Sequence, residues 1–238
     1  MSKIYEYECR RLLWNKFFIG LAVVLLLYGA LVLRGVTILG VAHTAPFSPW
    51  SFGDYLSRML PLLWIGMLFF LTFYTSPKAR RVAVLTDAAP MPRRTYALAR
   101  CAATLTGGVL LSLLCMGEAA AFYGRMFGWY GWGSLMFPAL VTLLPALVFA
   151  LGSGWLLGRL QPCLLYVWMA VPFLLAALPL PEAFGLWSGS FFTTYPLALE
   201  TLDPGFILPM DVLVVQVILL AVGAALLGTR AEGRARQE

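Results

Sequence analysis

Charge and histidine are scarce in this chain, and its cysteines form no motif. Only 12% of the 238 residues are charged, and His43 is the only histidine. Enzymes that work inside membranes need facing acids, histidine clusters or a serine–histidine pair, and the apolar runs contain none of these. No two of the four cysteines form a CxxC pair, so we expect neither a disulfide framework nor a zinc site. The sequence therefore predicts a chain without a catalytic or metal site of its own.

A nucleotide-binding loop is also missing. The pattern Gly-x-x-x-x-Gly-Lys-[Ser/Thr], whose backbone amides cradle phosphates, does not occur. If ATP drives any activity of this protein, we expect another polypeptide to hold the ATP and its magnesium ion.

Apolar residues are abundant. They make up 61% of the chain, and the mean hydropathy is +0.84, whereas soluble domains are nearer half apolar and a quarter charged. A bilayer-crossing helix needs about 20 apolar residues. We therefore predict an all-α polytopic membrane protein, residues 1–238 forming a single transmembrane domain. Its six predicted spans are residues 17–41, 55–75, 98–123, 135–158, 163–178 and 210–228.

Three segments outside the spans have distinct compositions. In residues 1–16 the apolar side chains fall on one side of a helical wheel and the charged ones on another, which predicts an interfacial helix; an ordinary basic flank is the alternative. Residues 179–209 are too polar to cross a bilayer and too apolar for a solvated loop, so we predict a pair of re-entrant helices at the outer side. Residues 229–238 are predicted to be a solvated tail.

Positive charge indicates the orientation. The segment 76–97 between spans 2 and 3 is densely basic, and basic loops stay on the cytoplasmic side. With both termini placed there as well, every lysine and arginine except Arg34, Arg58 and Arg125 falls on that side. We predict a multi-pass protein of a bacterial-type inner membrane with both ends cytoplasmic. Because the basic residues flank spans, lipid contact is expected and nucleic-acid binding is not.

The basic loop carries a local pattern. Leu85 is followed by Pro90-Met91-Pro92-Arg93-Arg94, and Ala99-Arg100 opens the next apolar run. Together with the opening EYECRRLLWNKFF and the six-span layout, this pattern resembles the permease subunits of ABC-2 type ABC transporters. The chain departs from that family early in the loop, where Lys78-Ala79-Arg80-Arg81 stands in place of an acid and a glycine.

The resemblance implies that the loop is a coupling helix seated in a separate ABC ATPase subunit, and that a second permease subunit, identical or paralogous, completes the path. On this reading the chain holds no cofactor. The alternative for the arginines is that they only set topology and bind anionic lipid. The residues assigned to ATPase coupling are Arg80, Arg81, Asp87, Pro92, Arg93 and Arg94.

One acid and three aromatic residues are candidates for the substrate path. Glu118 lies within span 3, where ionisable groups are costly and often functional; the alternative is a pairing with Arg125. Phe191, Phe192 and Tyr195 either line an apolar exit or pack against the spans. The predicted function is export of an amphipathic peptide, antibiotic or lipid-like substrate. The alternative is a non-transporting membrane scaffold or sensor that docks a soluble partner on its basic loop.

Overall fold

A computed structural model describes residues 2–75, 93–178, 181, 184–199 and 201–228. The regular elements in these ranges are helices, together with one turn of 3₁₀ helix at Thr37–Leu39. In chain order the α-helices are α1 (Ser2–Leu13), α2 (Lys16–Gly35), α3 (Pro49–Thr75), α4 (Arg93–Phe127), α5 (Gly133–Leu160), α6 (Cys163–Ala177), α7 (Gly185–Ser188), α8 (Ser190–Ala198) and α9 (Met210–Gly228).

Five of the described helices are long and apolar enough to cross a membrane: α2 with its 3₁₀ extension, α3, α4, α5 and α9. The described part of the chain is therefore all-helical, with several apolar helices of the kind found in membrane proteins. The helix in the place of the fifth predicted span, α6, has only 15 residues, which is about 22 Å at helical rise and less than the hydrocarbon thickness of a bilayer.

Helix α3 begins at Pro49, earlier than the span predicted to start at residue 55. The reason is a local cap: the Ser48 hydroxyl accepts a hydrogen bond from the Ser51 amide at 3.2 Å, and Pro49 occupies the first helical position, where its missing N–H costs nothing. Helix α4 likewise begins at Arg93, so the last residues of the predicted loop 76–97 are helical.

Helix α3 forms the centre of the bundle. It contacts α2, α4, α5, α6, α7 and α8, and large side chains such as Trp50, Tyr55 and Trp64 are completely buried along it. The Trp64 indole donates a hydrogen bond to the Trp168 carbonyl of α6 at 3.1 Å. The remaining helices are therefore positioned mainly by their contacts with α3.

The bundle has two chemically different ends. At the basic end lie α1, the end of α3, the start of α4 and the α5–α6 connection, where Gly158 packs against Thr75. At the opposite end the indole of Trp50 donates to the Pro204 carbonyl at 2.8 Å, and the Ala45 amide donates to Asp203 at 3.3 Å. These contacts hold the chain segments before α3 and before α9 together.

Helices α5 and α9 run side by side in the same direction. Near their starts the rings of Phe137 and Phe206 are 5.8 Å apart, and further along Gly152 and Gly223 face each other with backbone in contact. Small residues of this kind let membrane helices approach closely without a gap. A side chain at Gly223 would lie 2.7 Å from the backbone of Phe149, so the close approach depends on glycine there.

Candidate functional site

A buried carboxylate connects α1 to the start of α4. Glu8 on α1 is completely buried, and its Oε1 accepts hydrogen bonds from the Tyr96 hydroxyl at 3.1 Å and from Arg100 Nε at 3.4 Å. Arg11 Nη1 lies 3.6 Å from the other carboxylate oxygen. A buried charge is costly unless it is paired and hydrogen-bonded, so these partners determine where α1 can lie.

The end of α3 joins the same cluster through an aromatic ring. The Arg100 guanidinium lies 4.1 Å from the ring centre of Tyr96 and 5.3 Å from that of Tyr74, and both contacts are of the cation–π type. Tyr74 is the penultimate residue of α3, and Tyr96 is in the first turn of α4. We name Glu8, Arg11, Tyr74, Tyr96 and Arg100 the Glu8 clasp. It joins both ends of the basic connection, residues 76–92, to the N-terminal helix.

Further contacts hold α1 along α4. The hydroxyls of Tyr5 and Thr106 are 2.7 Å apart, and the buried Leu12 packs against Gly107, where a Cβ atom would lie 2.8 Å from the leucine side chain. The two contacts lie on either side of Glu8 along the helix. Helix α1 therefore packs along the first part of α4 instead of extending away from the bundle.

Glu8 was not among the predicted site residues, although its position in the sequence carried a signal. Tyr5, Glu8 and Leu12 are three and four residues apart, which places them on one face of a helix. A carboxylate between two apolar residues on a packing face needs a cationic partner on the helix opposite. Arg100, near the start of the apolar run that follows the basic connection, was the natural candidate for this cationic partner.

Most of the predicted coupling residues lie outside the part of the chain that the structure describes. This applies to Arg80, Arg81, Asp87 and Pro92. Arg93 and Arg94 are the first two residues of α4, and their side chains are outside the description as well. The clasp residue nearest to them in sequence is Tyr96, so the predicted coupling segment runs directly into the clasp.

Glu118 contacts Tyr55 of α3, and no described contact joins it to Arg125. The Tyr55 hydroxyl donates to the Cys115 carbonyl at 3.2 Å and to Glu118 Oε2 at 3.4 Å. The same carboxylate oxygen touches the position where Gly29 of α2 would carry a Cβ atom. Glu118 is half-buried where α2, α3 and α4 meet, and its carboxylate occupies the space beside Gly29.

The three aromatic candidates pack against α3. Phe191 and Phe192 are buried, and the Phe192 ring lies against Gly53. The Trp50 ring centre is 5.6 Å from that of Phe191 and 5.8 Å from that of Tyr195. In the described residues no contact brings any of the three to Glu118. The four predicted path residues therefore do not form one site.

Comparison of the chain with protein-family models, with curated proteins and with solved structures gives no match.

We predict that Glu8→Gln loosens α1. The substitution keeps the shape of the side chain but removes the charge that Arg11 and Arg100 neutralise, at an expected cost of about 2–3 kcal/mol. Hydrogen exchange of the α1 amides should become roughly 30-fold to 160-fold faster. The matched control is Glu6→Gln, because Glu6 is exposed on the same helix. Equal exchange in the two variants would contradict the clasp.

We also predict that, of the three described acids that are buried or half-buried, Glu118 is the most reactive toward a membrane-permeant carbodiimide. Glu118 is half-buried, whereas Glu8 and Asp54 are 0% and 1% exposed. Peptide mass spectrometry should find the adduct on Glu118, and Tyr55→Phe should increase it by removing the neighbouring hydroxyl donor. Glu118→Gln is the control and should abolish the adduct. Modification of Glu8 or Asp54 in preference to Glu118 would show that the packing around Tyr55 is wrong.

Proposed function

We propose that the chain is a permease subunit of an ATP-driven transporter of the ABC-2 type. The observation that carries the proposal is the Glu8 clasp, because it joins the two arms of the basic connection to one buried acid on α1. A partner that displaces residues 76–92 would act on α1, α3 and α4 together. Such a connection is useful to a protein that transmits movement from a soluble partner to its membrane helices.

The energy source is assigned to the partner. The chain has no phosphate-binding loop in its sequence, so a separate ABC ATPase subunit would bind ATP and Mg²⁺. In this proposal Arg80, Arg81, Asp87, Pro92, Arg93 and Arg94 form the contact with that subunit. The resemblance of the loop pattern supports this assignment, and net positive charge favours a partner with an acidic groove.

Two permease subunits would surround the path. Closing of the ATPases on ATP would bring the two basic loops together, and each clasp would pass that displacement to its own helices. The two arrangements of the pair then differ in the side to which the path opens, which is a population shift driven by the partner's nucleotide state.

The membrane layout in this proposal has six crossings with both termini cytoplasmic. The course of the chain supports a sixth crossing. The chain runs from the basic end at Cys163, where α6 begins, to the opposite end at Phe206, shortly before α9. The depth of α7 supports a segment that re-enters the membrane before α9. The ring of Trp187 in α7 is 5.2 Å from that of Trp64, and Trp64 lies about 22 Å along α3 from Pro49.

The proposed direction is export, and the proposed substrate class is an amphipathic peptide, an antibiotic or a lipid-like molecule. Glu118 supports a path that admits a polar or cationic group, because a half-buried acid in a span is costly unless it is used. The aromatic packing of Phe191, Phe192 and Tyr195 assigns those residues to the wall that holds α8 against α3. These residues would affect transport of the substrate only by setting the position of α8.

The experiment is co-purification of the tagged protein in mild detergent, followed by an ATPase assay of whatever is bound. We expect a nucleotide-binding subunit at an equimolar ratio with wild-type protein. Arg93→Glu/Arg94→Glu should reduce its retention at least tenfold, because like charges then face the acidic partner.

The matched control reverses two arginines at the other end of the bundle, Arg34→Glu/Arg125→Glu, and should retain the partner. Purification of the wild-type chain without any bound or stimulated ATPase would contradict the proposal and favour the scaffold or sensor function. Equal loss of the partner in both double variants would contradict a specific role for the basic loop.

A further inference from the structure

One face of the central helix α3 is less covered than the rest, although the Phe17 ring of α2 lies 5.2 Å from that of Phe69 on it. From Trp50 to Thr75 every residue is buried except Arg58 and five others, which are only partly exposed. Their spacing of three and four residues places most of them on a single face. We name this face the α3 stripe; it consists of Arg58, Leu62, Ile65, Phe69, Thr72 and Phe73.

The flanks of the stripe are α2 on one side and the α6–α8 segment on the other. On the first side Gly66 lies against Leu21 of α2. On the second side Ser57 lies against Gly189, which precedes α8. The stripe is therefore a groove between two parts of the bundle, and its floor is apolar apart from Arg58 and Thr72.

Arg58 is held in place by a buried acid. Arg58 Nε lies 2.8 Å from Asp54 Oδ2, and the two side chains are 40% and 1% exposed. Asp54 is one turn closer than Arg58 to the N-terminus of α3, which lies at the end of the bundle opposite the basic end. Helical side chains already lean toward the helix N-terminus. The contact therefore directs the guanidinium toward the opposite end. Within the described residues its two terminal nitrogens donate to no other group.

The depth of Arg58 corresponds to the edge of the hydrocarbon region. The residue lies about 13 Å along α3 from Pro49, and a helix of this length exceeds a hydrocarbon core of about 30 Å by about 5 Å at each end. The Cα atom is then about 8 Å inside the apolar region, and the long side chain reaches back to the headgroup level. Asp54 satisfies only Nε of Arg58, so the two terminal nitrogens still need an acceptor at a depth where unsatisfied donors are costly.

We propose that the α3 stripe binds one anionic phospholipid of the surrounding bilayer, with the phosphate on the terminal nitrogens of Arg58 and an acyl chain along Leu62, Ile65 and Phe69. Three features favour this occupant: a single cation at the headgroup end, an apolar floor about 17 Å long below it, and a membrane as the surrounding medium. Guanidinium groups bind phosphate through two parallel hydrogen bonds. The inference requires a membrane-embedded chain and does not depend on transport.

The test compares two variants, neither of which leaves a buried carboxylate at position 54 without its arginine. Asp54→Asn retains Arg58, whereas Asp54→Asn/Arg58→Gln removes both charges of the pair. Each purified protein is mixed with phosphatidylglycerol or phosphatidylcholine of identical acyl chains, and bound lipids are counted by native mass spectrometry. We expect wild type and Asp54→Asn to prefer the anionic lipid at least tenfold, and the double variant to lose that preference.

Three further variants separate charge from shape. Arg34→Gln and Arg125→Gln remove other exposed arginines and should leave the preference unchanged. Ile65→Trp fills the groove below Arg58 and should reduce retention of both lipids. An unchanged preference in the charge-free double variant would overturn the proposal. So would a lipid-free wild-type dimer that dissociates on the same substitutions, since a second copy would then occupy the stripe.

Discussion

The burial of one carboxylate constrains the basic end of this protein. Glu8 has no exposed surface, and an unpaired charge in that position would cost several kcal/mol. Its partners come from three helices: Arg11 from α1 itself, Tyr96 and Arg100 from α4, and Tyr74 of α3 through the Arg100 guanidinium. Helix α1, the exit of α3 and the entry of α4 are therefore arranged around a single acid, and any movement of the basic connection changes its environment.

Helix α3 links this end to the rest of the bundle. Its side chains are buried by neighbours on nearly every side. Trp64 contacts α6 and α7, and Trp50 contacts α8. A rigid, tightly packed helix moves as a unit, because close-packed interiors transmit displacement. The less covered face of α3 is the stripe headed by Arg58. The coupling proposal and the lipid proposal therefore concern two ends of the same helix.

Hydropathy predicted the helical class and the five long apolar helices that the structure describes. The last span, predicted at residues 210–228, coincides with α9, since a long apolar run is a local property. The start of α3 was missed because Ser48 and Pro49 lie before the span predicted from residue 55, although both residues are favoured at helix starts. The order of the helices around α3 depends on side-chain fit, such as Gly154 of α5 against Leu68 of α3, which hydropathy does not record.

The candidate sites were less predictable than the spans. Glu118 was found because an acid in an apolar run is visible in the sequence, but its neighbour Tyr55 is 63 positions away. Glu8 was missed for the same reason, since its partner Arg100 is 92 positions away. Asp54 and Arg58 are one turn apart and recognisable as a pair. Their different exposure follows from the packing of α2 and α8 around α3, which no local pattern contains.

The most direct test of the account is a double-mutant cycle between Glu8 and Arg100, measured as the free energy of unfolding in mixed micelles. The single variants are Glu8→Gln and Arg100→Gln, and the third protein carries both substitutions. If the clasp joins α1 to α4, the double variant should lose less stability than the sum of the single variants, with a coupling energy of at least about 1 kcal/mol. Additive effects would show that the two residues act independently, which contradicts the clasp as the connection between α1 and the basic loop.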